Sequence, residues 1–348
     1  MISETSFKVT DRFEKEAFDR FVYENQNTSV FQTLEMAEVY KRNKGCKPLT
    51  LAVINDDTGE ILATLLAKIL EEKRGFLSSF SRHSTLRGGP IFVDNKEGVE
   101  AVSLLLQHYN KIAAKEVLYS RIYPLHDVSQ ITPVFREYGY EYEYWQNFLV
   151  DLTKSKEELW SKLKRDKKRA VTKAKRNGVE IEEITDKTLI PIFYDLVKET
   201  YTNRGLPLED ISLFEAVFEI LGSKNMAKFL VAKYKGEYIA TRLVLTYKGV
   251  IYDWHVGASR KFLSLKPNDL LVWHILEWGS ENDFHTFDFG GGGEFHEADA
   301  GWVEFKRRFG GKTVNYGRYT KIHKPKKLWF AKKAFALYSK YIKMFRAF

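Results

Sequence analysis

The chain has 348 residues, and its hydrophobic content of 44% excludes a largely disordered protein. Its single cysteine, Cys46, excludes an intrachain disulfide and a cysteine-based zinc cluster. The net charge of +9 favours an anionic partner: nucleic acid, a phosphorylated substrate or an acidic membrane surface. No signal-peptide pattern and no membrane-spanning apolar stretch is visible, so we expect a cytoplasmic protein.

Two segments half a chain apart repeat one another. Residues 59–66 read GEILATLL and residues 236–243 read GEYIATRL, each after an apolar run and before a proline. A polar turn between two alternating apolar runs is typical of a β-hairpin. Because 348 residues are close to the upper limit for a single core, we predict two copies of one α/β unit, covering residues 1–150 and 151–322.

The predicted elements follow the same order in both domains. The first domain is predicted to contain a mainly helical segment 12–44, a hairpin 49–70, a strand 75–80, a loop 82–90, a helix 98–114, a strand 117–122, a short helix 134–138 and a strand 148–152. The second is predicted to contain helices 155–178, 189–202 and 210–222, a hairpin 229–247, a strand 249–256, a helix 267–282 and a strand 285–289. A hairpin, a further strand, a helix and a strand in both halves indicate an α/β (α+β) fold with mixed sheets.

Helix 155–178 is the most polar of the predicted helices. Ser155 and Glu158 form a capping-box pattern at its start, and Gly178 is a stop signal. Between residues 162 and 176 it carries nine cations and a single acid, Asp166. Such a run is either a solvated surface or a polyanion-binding surface, and mutual repulsion of the cations favours the second. The predicted contact residues are Lys164, Lys168, Arg169 and Lys173.

The segment 323–348 is predicted to form a basic amphipathic helix. From residue 324 onward it has eight Lys or Arg residues, no acid and seven aromatic residues. It either lies on anionic lipid at the inner face of the membrane or packs its aromatic face on the protein and presents lysines to RNA. The sequence leaves both alternatives open.

Two motifs late in the chain are candidates for chemistry. Residues 287–293, FDFGGGG, form either a flexible connection or a backbone that approaches a substrate closely, and they match no nucleotide-binding fingerprint. In residues 305–309, FKRRF, Lys306 is either a surface lysine over apolar neighbours or an ammonium that stabilises an oxyanion or binds phosphate. His296 and Glu297 offer a candidate base, and no spacing indicates a metal site.

Short motifs along nearly the whole chain resemble those of the Fem-type (FemABX) peptidoglycan aminoacyltransferases, a branch of the GNAT-like acyltransferase superfamily. These motifs are Phe31-Gln32-Thr33, Arg87-Gly88-Gly89-Pro90, Asp151-Leu152 with the basic helix that follows, Phe193-Tyr194, Glu199-Thr200, Arg204, Phe287-Asp288-Phe289-Gly290-Gly291, Phe305-Lys306 and Phe309-Gly310. The resemblance implies two tandem GNAT-like domains with the acceptor bound in the cleft between them, and it implies no cofactor.

The resemblance also implies a reaction and roles for particular residues. An amine of a nucleotide-linked or lipid-linked muropeptide precursor would attack the ester of an aminoacyl-tRNA, and tRNA would be released. Lys306, with Phe305 beside it, would be catalytic by stabilising the negative charge of the tetrahedral intermediate, and the basic helix would bind tRNA. The substrate-binding residues implied are Arg204, Arg87, Tyr252, Trp254, Asp288 and Lys41.

The chain departs from the family pattern in three ways. Family members often carry Gln-Ser-x-x-Trp followed by a lysine that binds acceptor phosphate; here Met36 replaces the tryptophan, and Tyr40 stands at the lysine position with Lys41 beside it. The Arg-Gly-Pro motif has an extra glycine. No heptad-patterned helical hairpin is present that would form the coiled-coil arm of some members. The identity of the acceptor therefore stays open.

Two alternative functions remain. One is N-acylation of a sugar or a lipid-linked acceptor with an acyl-CoA such as acetyl-CoA, although residues 82–89 and 260–267 lack the usual pyrophosphate-binding motif. The other is a non-catalytic RNA-binding or membrane-binding module, which the duplicated core disfavours.

Overall fold

The computed structural model describes residues 6–71, 81–291, 301–331 and 333. This part of the chain divides into two compact units. The first unit comprises the described residues of Met1–Lys41, Gly45–Glu143 and Gly317–Phe348, and the second comprises those of Arg42–Lys44 and Tyr144–Tyr316.

Strands and helices alternate through both units. The strands are β1 (Phe7–Thr10), β2 (Cys46–Asn55), β3 (Ile61–Leu70), β4 (His83–Arg87), β5 (Ile91–Phe92), β6 (Tyr119–Tyr123), β7 (Glu141–Glu143), β8 (Gln146–Asp151), β9 (Glu180–Glu183), β10 (Ala227–Tyr234), β11 (Glu237–Tyr247), β12 (Val250–Ala258), β13 (Thr286–Gly291), β14 (Lys312–Asn315) and β15 (Arg318–Ile322). The α-helices are α1 (Lys15–Glu24), α2 (Leu34–Arg42), α3 (Lys96–Glu116), α4 (Thr132–Glu137), α5 (Lys156–Lys162), α6 (Arg165–Arg176), α7 (Ile190–Arg204), α8 (Ile211–Ala216), α9 (Pro267–Glu281) and α10 (Gly301–Arg307).

The two sheets have the same arrangement of strands. The first runs β1-β2-β3-β4-β6-β15-β7, with β5 beside β3, and the second runs β9-β10-β11-β12-β13-β8-β14. In each sheet an antiparallel hairpin and a third antiparallel strand are followed by a crossover helix, α3 or α9, that leads to a parallel strand. The predicted α/β (α+β) fold with two mixed sheets is confirmed, and the described residues contain no long coiled-coil arm.

Both hairpins form where the repeated sequence predicts them. Gly59 has φ +74° and Gly236 has φ +82°, a left-handed conformation that glycine adopts without strain. Each hairpin also has a register irregularity shortly before its turn, at Val53/Ile54 in β2 and at Ala232/Lys233 in β10. The two copies therefore share a detail of backbone geometry as well as strand order.

The crossover helices cover one face of each sheet. In the first unit Leu105 and Tyr109 of α3 are fully buried in the same core as Ile122 of β6. In the second unit Ile275 of α9 is buried with Phe287 of β13. Removal of this apolar surface from water is the main favourable term for such an architecture.

Two predicted elements differ from the structure. The predicted loop 82–90 contains strand β4, whose residues Ser84 and Leu86 are fully buried. Sequence periodicity missed this strand because its core-facing position 84 is a serine, which bonds to the hydroxyl of Tyr109 at 2.7 Å instead of packing as an apolar side chain. The predicted strand 75–80 lies outside the described residues.

The predicted basic helix 155–178 is two helices, α5 and α6. Its start and stop are confirmed, because Ser155 and Glu158 form a capping box and Gly178 has φ +78°. The helix breaks at Leu163 and Lys164, which are extended, and the amide of Lys164 donates to the carbonyl of Arg308 at 3.1 Å. This hydrogen bond replaces one within the helix, and its partner lies too far along the chain for local patterns to reveal.

The boundary between the units also differs from the predicted 1–150 and 151–322. Strand β8 belongs to the second sheet, where it pairs with β13, and β15 returns to the first sheet, where it pairs with β6 and β7. Each of these strands fills the same place in its sheet, next to the parallel strand. Hydrogen bonding across the sheet, rather than chain order, therefore decides which unit these strands join.

Only the beginning of the predicted helix 323–348 is described. Residues 325–331 are helical, and Trp329 and Phe330 are exposed. The rest of this helix lies outside the described residues. None of the helices in the described part of the chain has the length and hydropathy that crossing a membrane requires.

Candidate active site

The pairing of the parallel strands β12 and β13 ends before the strands do. Their last register pair is Tyr252 with Asp288, although β12 continues to Ala258 and β13 to Gly291. The two strands therefore part at their C-terminal ends. In α/β sheets this end of the strands is where ligands commonly bind.

A bulge lies on β12 just beyond that last pair. On the β11 side Leu243 faces His255 but Val244 faces Asp253, so Trp254 is the additional residue. Bulges occur frequently next to active sites because they change the direction of a side chain. The structure thus places two predicted substrate-binding residues, Tyr252 and Trp254, on either side of the point where the strands part.

The side chains next to this bulge form buried polar pairs. Arg242 of β11 forms an ion pair with Asp253 at 2.6 Å, and both side chains are less than a tenth exposed. His255 bonds through Nδ1 to the hydroxyl of Tyr201 on α7 at 3.0 Å. These pairs fix the backbone of β12 around Trp254.

Lys306 of α10 binds the end of β13. Its ammonium donates to the main-chain carbonyl oxygens of Phe289 at 2.7 Å, Gly291 at 2.9 Å and Gly290 at 3.4 Å, and it lies 5.7 Å from the ring centroid of Trp302. An ammonium group has three protons to donate. The cation thus satisfies carbonyl groups of β13 beyond its last pair with β12.

The buried carboxylate of Asp288 fixes the backbone at the same end of β13. Its carboxylate accepts from the side chain of Asn147 at 2.6 Å and from the amide of Gly290 at 2.7 Å, and it is 3% exposed. Gly290 has φ +70°, and a side chain at Gly291 would collide with the indole of Trp145. These contacts fix the glycine carbonyls that Lys306 binds. Asp288 was predicted to bind substrate, but its carboxylate is bound by Asn147 and Gly290, so it acts as a positioning residue.

Phe305, the predicted partner of Lys306, contacts a different lysine. Lys167 of α6 is 7% exposed, and its ammonium lies 3.8 Å from the ring centroid of Phe305 and 5.2 Å from that of Phe309. The same ammonium donates to Asp269 in the first turn of α9 at 2.7 Å. One buried cation therefore joins α6, α9 and α10, and it holds the helix that carries Lys306.

The carboxylate nearest to Lys306 in sequence is held by arginines. Glu304 accepts from Arg308 at 2.6 Å and from Arg307 at 2.8 Å. The hydrogen bond from Arg308, together with the charges of both arginines, lowers the pKa of Glu304 although burial acts in the opposite direction. Glu304 is therefore an anion at neutral pH and stabilises α10.

The predicted substrate residues Arg204 and Lys41 lie at helix ends. Arg204 is the last residue of α7 and is exposed, with Gly205 ending the helix at φ +65°. Lys41 lies at the end of α2 in the first unit, is exposed and is 3.8 Å from Glu38. Neither residue belongs to the group around Lys306 that the contacts above define.

Arg87 joins two of the motifs that define the family resemblance. Its guanidinium lies 4.6 Å from the ring centroid of Phe31, and the side-chain amide of Gln32 donates to the carbonyl of Gly89 at 2.9 Å. Gly88 has φ +88°, and a Cβ there would approach Gln32 to 2.5 Å. The two motifs, far apart in sequence, are in direct contact within the first unit.

The predicted polyanion-binding residues lie on the surface of α6 and at its start. Lys164, Arg169 and Lys173 are exposed, and Lys168 is partly exposed and donates to the carbonyl of Ser161 at 2.9 Å. Of the nine cations in this run Lys167 is the buried one. Helix α6 thus presents its cations to solvent while its apolar side packs against α9.

Sequence reasoning missed Lys167, Asp269 and Asn147. Lys167 was one cation among nine, and its burial depends on where α9 and α10 lie. Asp269, an acid in the first turn after Pro267, was a recognisable helix-start signal, but its partner was not recognisable. His296 and Glu297 lie outside the described residues, and among those described no cluster of His, Cys, Asp and Glu could hold a metal ion.

Comparisons with known proteins bear on the fold of this region. Residues 161–307, which include the α6 cations, β12, β13 and Lys306, match the family model of the acetyltransferase (GNAT) domain. The second unit therefore contains a GNAT-type acyltransferase domain, as the sequence predicted. No curated protein sequence matches the chain significantly.

Solved structures with the same fold extend the similarity beyond this domain. The crystal structure of FemX is 18% identical with a TM-score of 0.69, and the similarity covers 93% of this chain and 100% of FemX. L-PGS from Bacillus licheniformis is 13% identical with a TM-score of 0.56, covering 93% and 98% of the two chains. The C-terminal domain of a putative lysylphosphatidylglycerol synthetase from Agrobacterium fabrum is 13% identical with a TM-score of 0.53, covering 93% and 95%. The chain therefore shares its fold with these structures.

Proposed function

We propose that this protein transfers an amino acid from aminoacyl-tRNA to an amine of a peptidoglycan precursor. The observation that carries the proposal is the ammonium of Lys306, held by the carbonyls of Phe289, Gly290 and Gly291 at the end of β13 where β12 leaves it. A cation fixed in advance beside such a gap stabilises negative charge that develops on a reacting oxygen. The fold shared with FemX along nearly the whole chain supports aminoacyl transfer.

The reaction needs one new bond and one broken bond. The acceptor amine attacks the ester carbonyl carbon, the C–N bond forms, and the carbon–oxygen bond to the tRNA ribose breaks, while a proton of the amine ends on the departing ribose oxygen. Lys306 exchanges its longest contact, 3.4 Å to the carbonyl of Gly290, for the oxyanion of the tetrahedral intermediate. The carbonyls of Phe289 and Gly291 keep the ammonium in place throughout.

The donor tRNA binds the exposed cations of α6. Lys164, Arg169 and Lys173 face solvent and are free to contact phosphates, whereas the buried Lys167 links this helix to α10. A surface that neutralises several phosphates releases counterions, so binding weakens steeply with salt. Within the second unit, Arg204 binds an acceptor phosphate, and Tyr252 and Trp254 contact the acceptor. The acceptor is a nucleotide-linked or lipid-linked muropeptide.

Acyl-CoA-dependent N-acylation of a sugar or lipid-linked acceptor is the second candidate, because residues 161–307 match an acetyltransferase domain. The start of α9 argues against it. An acyl-CoA pyrophosphate binds free amides at a helix N-terminus, but Pro267 has no amide proton and the carboxylate of Asp269 lies in the first turn, paired with Lys167.

One experiment separates these candidates. Radiolabelled aminoacyl-tRNAs and acetyl-CoA are offered in parallel to the enzyme with nucleotide-linked and lipid-linked muropeptide precursors. We expect label in the precursor only from aminoacyl-tRNA, and ribonuclease treatment of the donor should abolish it. Label only from acetyl-CoA would establish the second candidate, and label from neither donor would favour a non-catalytic binding module.

A further inference from the structure

The helix that follows β15 carries two adjacent aromatic residues to which the proposed function assigns no role. Residues 325–331 and 333 are helical, and we call them the C-terminal helix. Its residue Leu328 is 9% exposed, whereas the neighbouring Trp329 and Phe330 are 56% and 61% exposed. Large aromatic side chains that stay in water next to one another indicate a surface that binds a partner.

The start of the C-terminal helix is fixed to the first unit. The amides of His323 and Lys324 donate to the carbonyl of Leu118 at 2.8 Å and 3.1 Å, and the ammonium of Lys324 donates to the carbonyl of Lys115 on α3 at 2.6 Å. The amide of Leu328 then bonds to the carbonyl of Lys324 at 2.9 Å. These contacts hold the first turn against the unit, with Leu328 as its buried side chain.

The aromatic pair lies on the face of the helix opposite Leu328. At about 100° per residue, Trp329, Lys333, Lys326 and Phe330 lie about 100°, 140°, 160° and 200° around the helix from Leu328. All four are exposed. The outer face of the helix therefore presents two aromatic rings with two lysines between them, so Trp329 and Phe330 are not packed on the described part of the protein.

The geometry of the two rings favours a lipid surface over RNA bases. The ring centroids of Trp329 and Phe330 are 5.0 Å apart with the planes at 83°, an edge-to-face contact. The ammonium of Lys333 lies 5.6 Å from the ring centroid of Trp329. A nucleic-acid base stacks on an open, flat ring face, and here the neighbouring ring and the lysine lie against the pair. An apolar wedge beside lysines is typical of helices that lie in a membrane interface.

The charge around the start of the helix is positive. Burial, with the charges of Lys327 and Arg82, lowers the pKa of Lys324, and Glu116 opposes this effect. Glu116 is already paired with Lys47 at 2.9 Å. From residue 324 to the end of the sequence there are eight Lys or Arg residues and no acid. Anionic lipid headgroups supply the counter-charge that such a segment lacks.

We propose that the outer face of the C-terminal helix, formed by Trp329, Phe330, Lys326 and Lys333, binds the surface of a bilayer that contains anionic phospholipid. The two rings enter the interfacial layer, and the lysines extend to the lipid phosphates. The proposal does not depend on the proposed function, because it assigns a binding surface and no step of a reaction.

Co-sedimentation of the full chain with vesicles tests this surface without any substrate. We expect the wild type to bind vesicles of phosphatidylcholine and phosphatidylglycerol, and to bind phosphatidylcholine alone about tenfold more weakly. The double variant Trp329→Ala, Phe330→Ala should bind the anionic vesicles about tenfold more weakly or less, since two large apolar side chains no longer leave water. The matched control is Tyr23→Ala on α1, a residue 65% exposed in the same unit, which should bind like the wild type.

Three results of this experiment overturn the proposal. These are no binding by the wild type, equal binding to both kinds of vesicle, and equal binding by the wild type and the double variant.

Fluorescence quenching by brominated phosphatidylcholine in the anionic vesicles locates the contact. Trp329→Phe keeps an aromatic ring at this position, so it should sediment with the vesicles like the wild type. Its indole is gone, so we expect the quenching seen with the wild type to be lost. Unchanged quenching in Trp329→Phe would show that another tryptophan meets the lipid, and the proposal would fail.

A third measurement tests the lysines and separates lipid from RNA. Lys326→Gln with Lys333→Gln should weaken binding to anionic vesicles, whereas Lys96→Gln with Lys111→Gln, two exposed residues of α3, should not. Equal binding by the two pairs contradicts a role for these lysines. Uncharged tRNA is titrated against the double aromatic variant in parallel. Weaker tRNA binding together with unchanged vesicle binding would make this face an RNA surface and overturn the proposal.

Discussion

The two sheets share one strand order but differ at the junction between their parallel strands. In the first sheet β4 and β6 stay paired to the last residue of both, Arg87 with Tyr123. In the second, β12 and β13 separate after Tyr252 and Asp288, a bulge follows at Trp254, and Lys306 binds carbonyls of β13 beyond that last pair. The same topology thus forms a closed surface in one copy and an open strand end in the other, and the open copy carries the candidate active site.

The crossover helices α3 and α9 differ in how their N-terminal ends are stabilised. Helix α3 begins with a local cap, in which the side chain of Asn95 accepts from the amide of Gly98 at 2.8 Å. Helix α9 has no side-chain cap, and the carboxylate in its first turn, Asp269, is bound by Lys167 from another helix. The start of α3 is therefore stabilised by neighbouring residues, whereas the start of α9 is stabilised by a tertiary contact.

The largest effect is expected from breaking the buried pair of the second unit. Lys167→Met leaves the carboxylate of Asp269 buried without its cation, which should lower the free energy of unfolding by about 3–5 kcal/mol. Asp269→Asn should be similarly destabilising, and the double variant should recover part of the loss. Chemical denaturation measures this, with Asn95→Ala at the start of α3 as the matched change, which should cost about 1 kcal/mol. A cost for Lys167→Met no larger than that for Asn95→Ala would contradict the role assigned to this pair.

The next effect concerns the cation at the open strand end. Lys306→Met should lower kcat for amino-acid transfer by about 10²- to 10³-fold, as removal of one donor to an oxyanion does. Lys312→Met, an exposed lysine of β14 nearby in the chain, is the matched control and should retain activity. Circular dichroism shows whether each variant is folded. Turnover of folded Lys306→Met close to that of the wild type would remove Lys306 from the mechanism.

A smaller and salt-dependent effect should distinguish the charged helices of the two units. Charge reversal of Lys164, Arg169 and Lys173 to Glu should raise KM for aminoacyl-tRNA. It should also reduce the magnitude of the slope of log affinity against log salt by about 2–3, since each phosphate contact contributes roughly 0.7–0.9 to that slope. The control reverses three exposed lysines of α3 in the first unit, Lys96, Lys111 and Lys115. Equal slopes for the two triple variants would show that α6 is not the tRNA surface.

The last comparison uses pH, because the pKa of His323 in the first unit is lowered. Burial, with the nearby charges of Lys321 and Lys324, lowers the pKa of His323 to about 4, and its Nε2 bonds to Ser120 at 2.9 Å. The unfolded chain binds a proton near the ordinary pKa of 6.5 and the folded chain does not, so stability falls as pH decreases from 6.5 towards 4. His323→Gln should lose less stability over this range, measured by denaturation at several pH values. An identical pH profile in the wild type and this variant would contradict the assignment.

Much of the fold was predictable because it depends on residues close together in the chain. The repeated Gly-Glu turns predicted both hairpins, and the capping box at Ser155 and Glu158 predicted where α5 begins. The motif around Lys306 was recognisable as a candidate active site. The burial of Lys167, the role of Asp288 inside the strand end and the pairing of Phe305 with another lysine were not recognisable, because each depends on residues 100 or more positions away or on a different helix.

The sequence by itself determined the duplication, the class of fold and the motifs where chemistry is expected, since turn residues, caps and apolar periodicity act over a few residues. Only the tertiary structure decided which sheet β8 and β15 join, where β12 and β13 part, and which of the nine cations between residues 162 and 176 is buried. These features arise from hydrogen bonds and ion pairs between distant segments, and a side chain has the same letter in the sequence whether it meets solvent or a buried carboxylate.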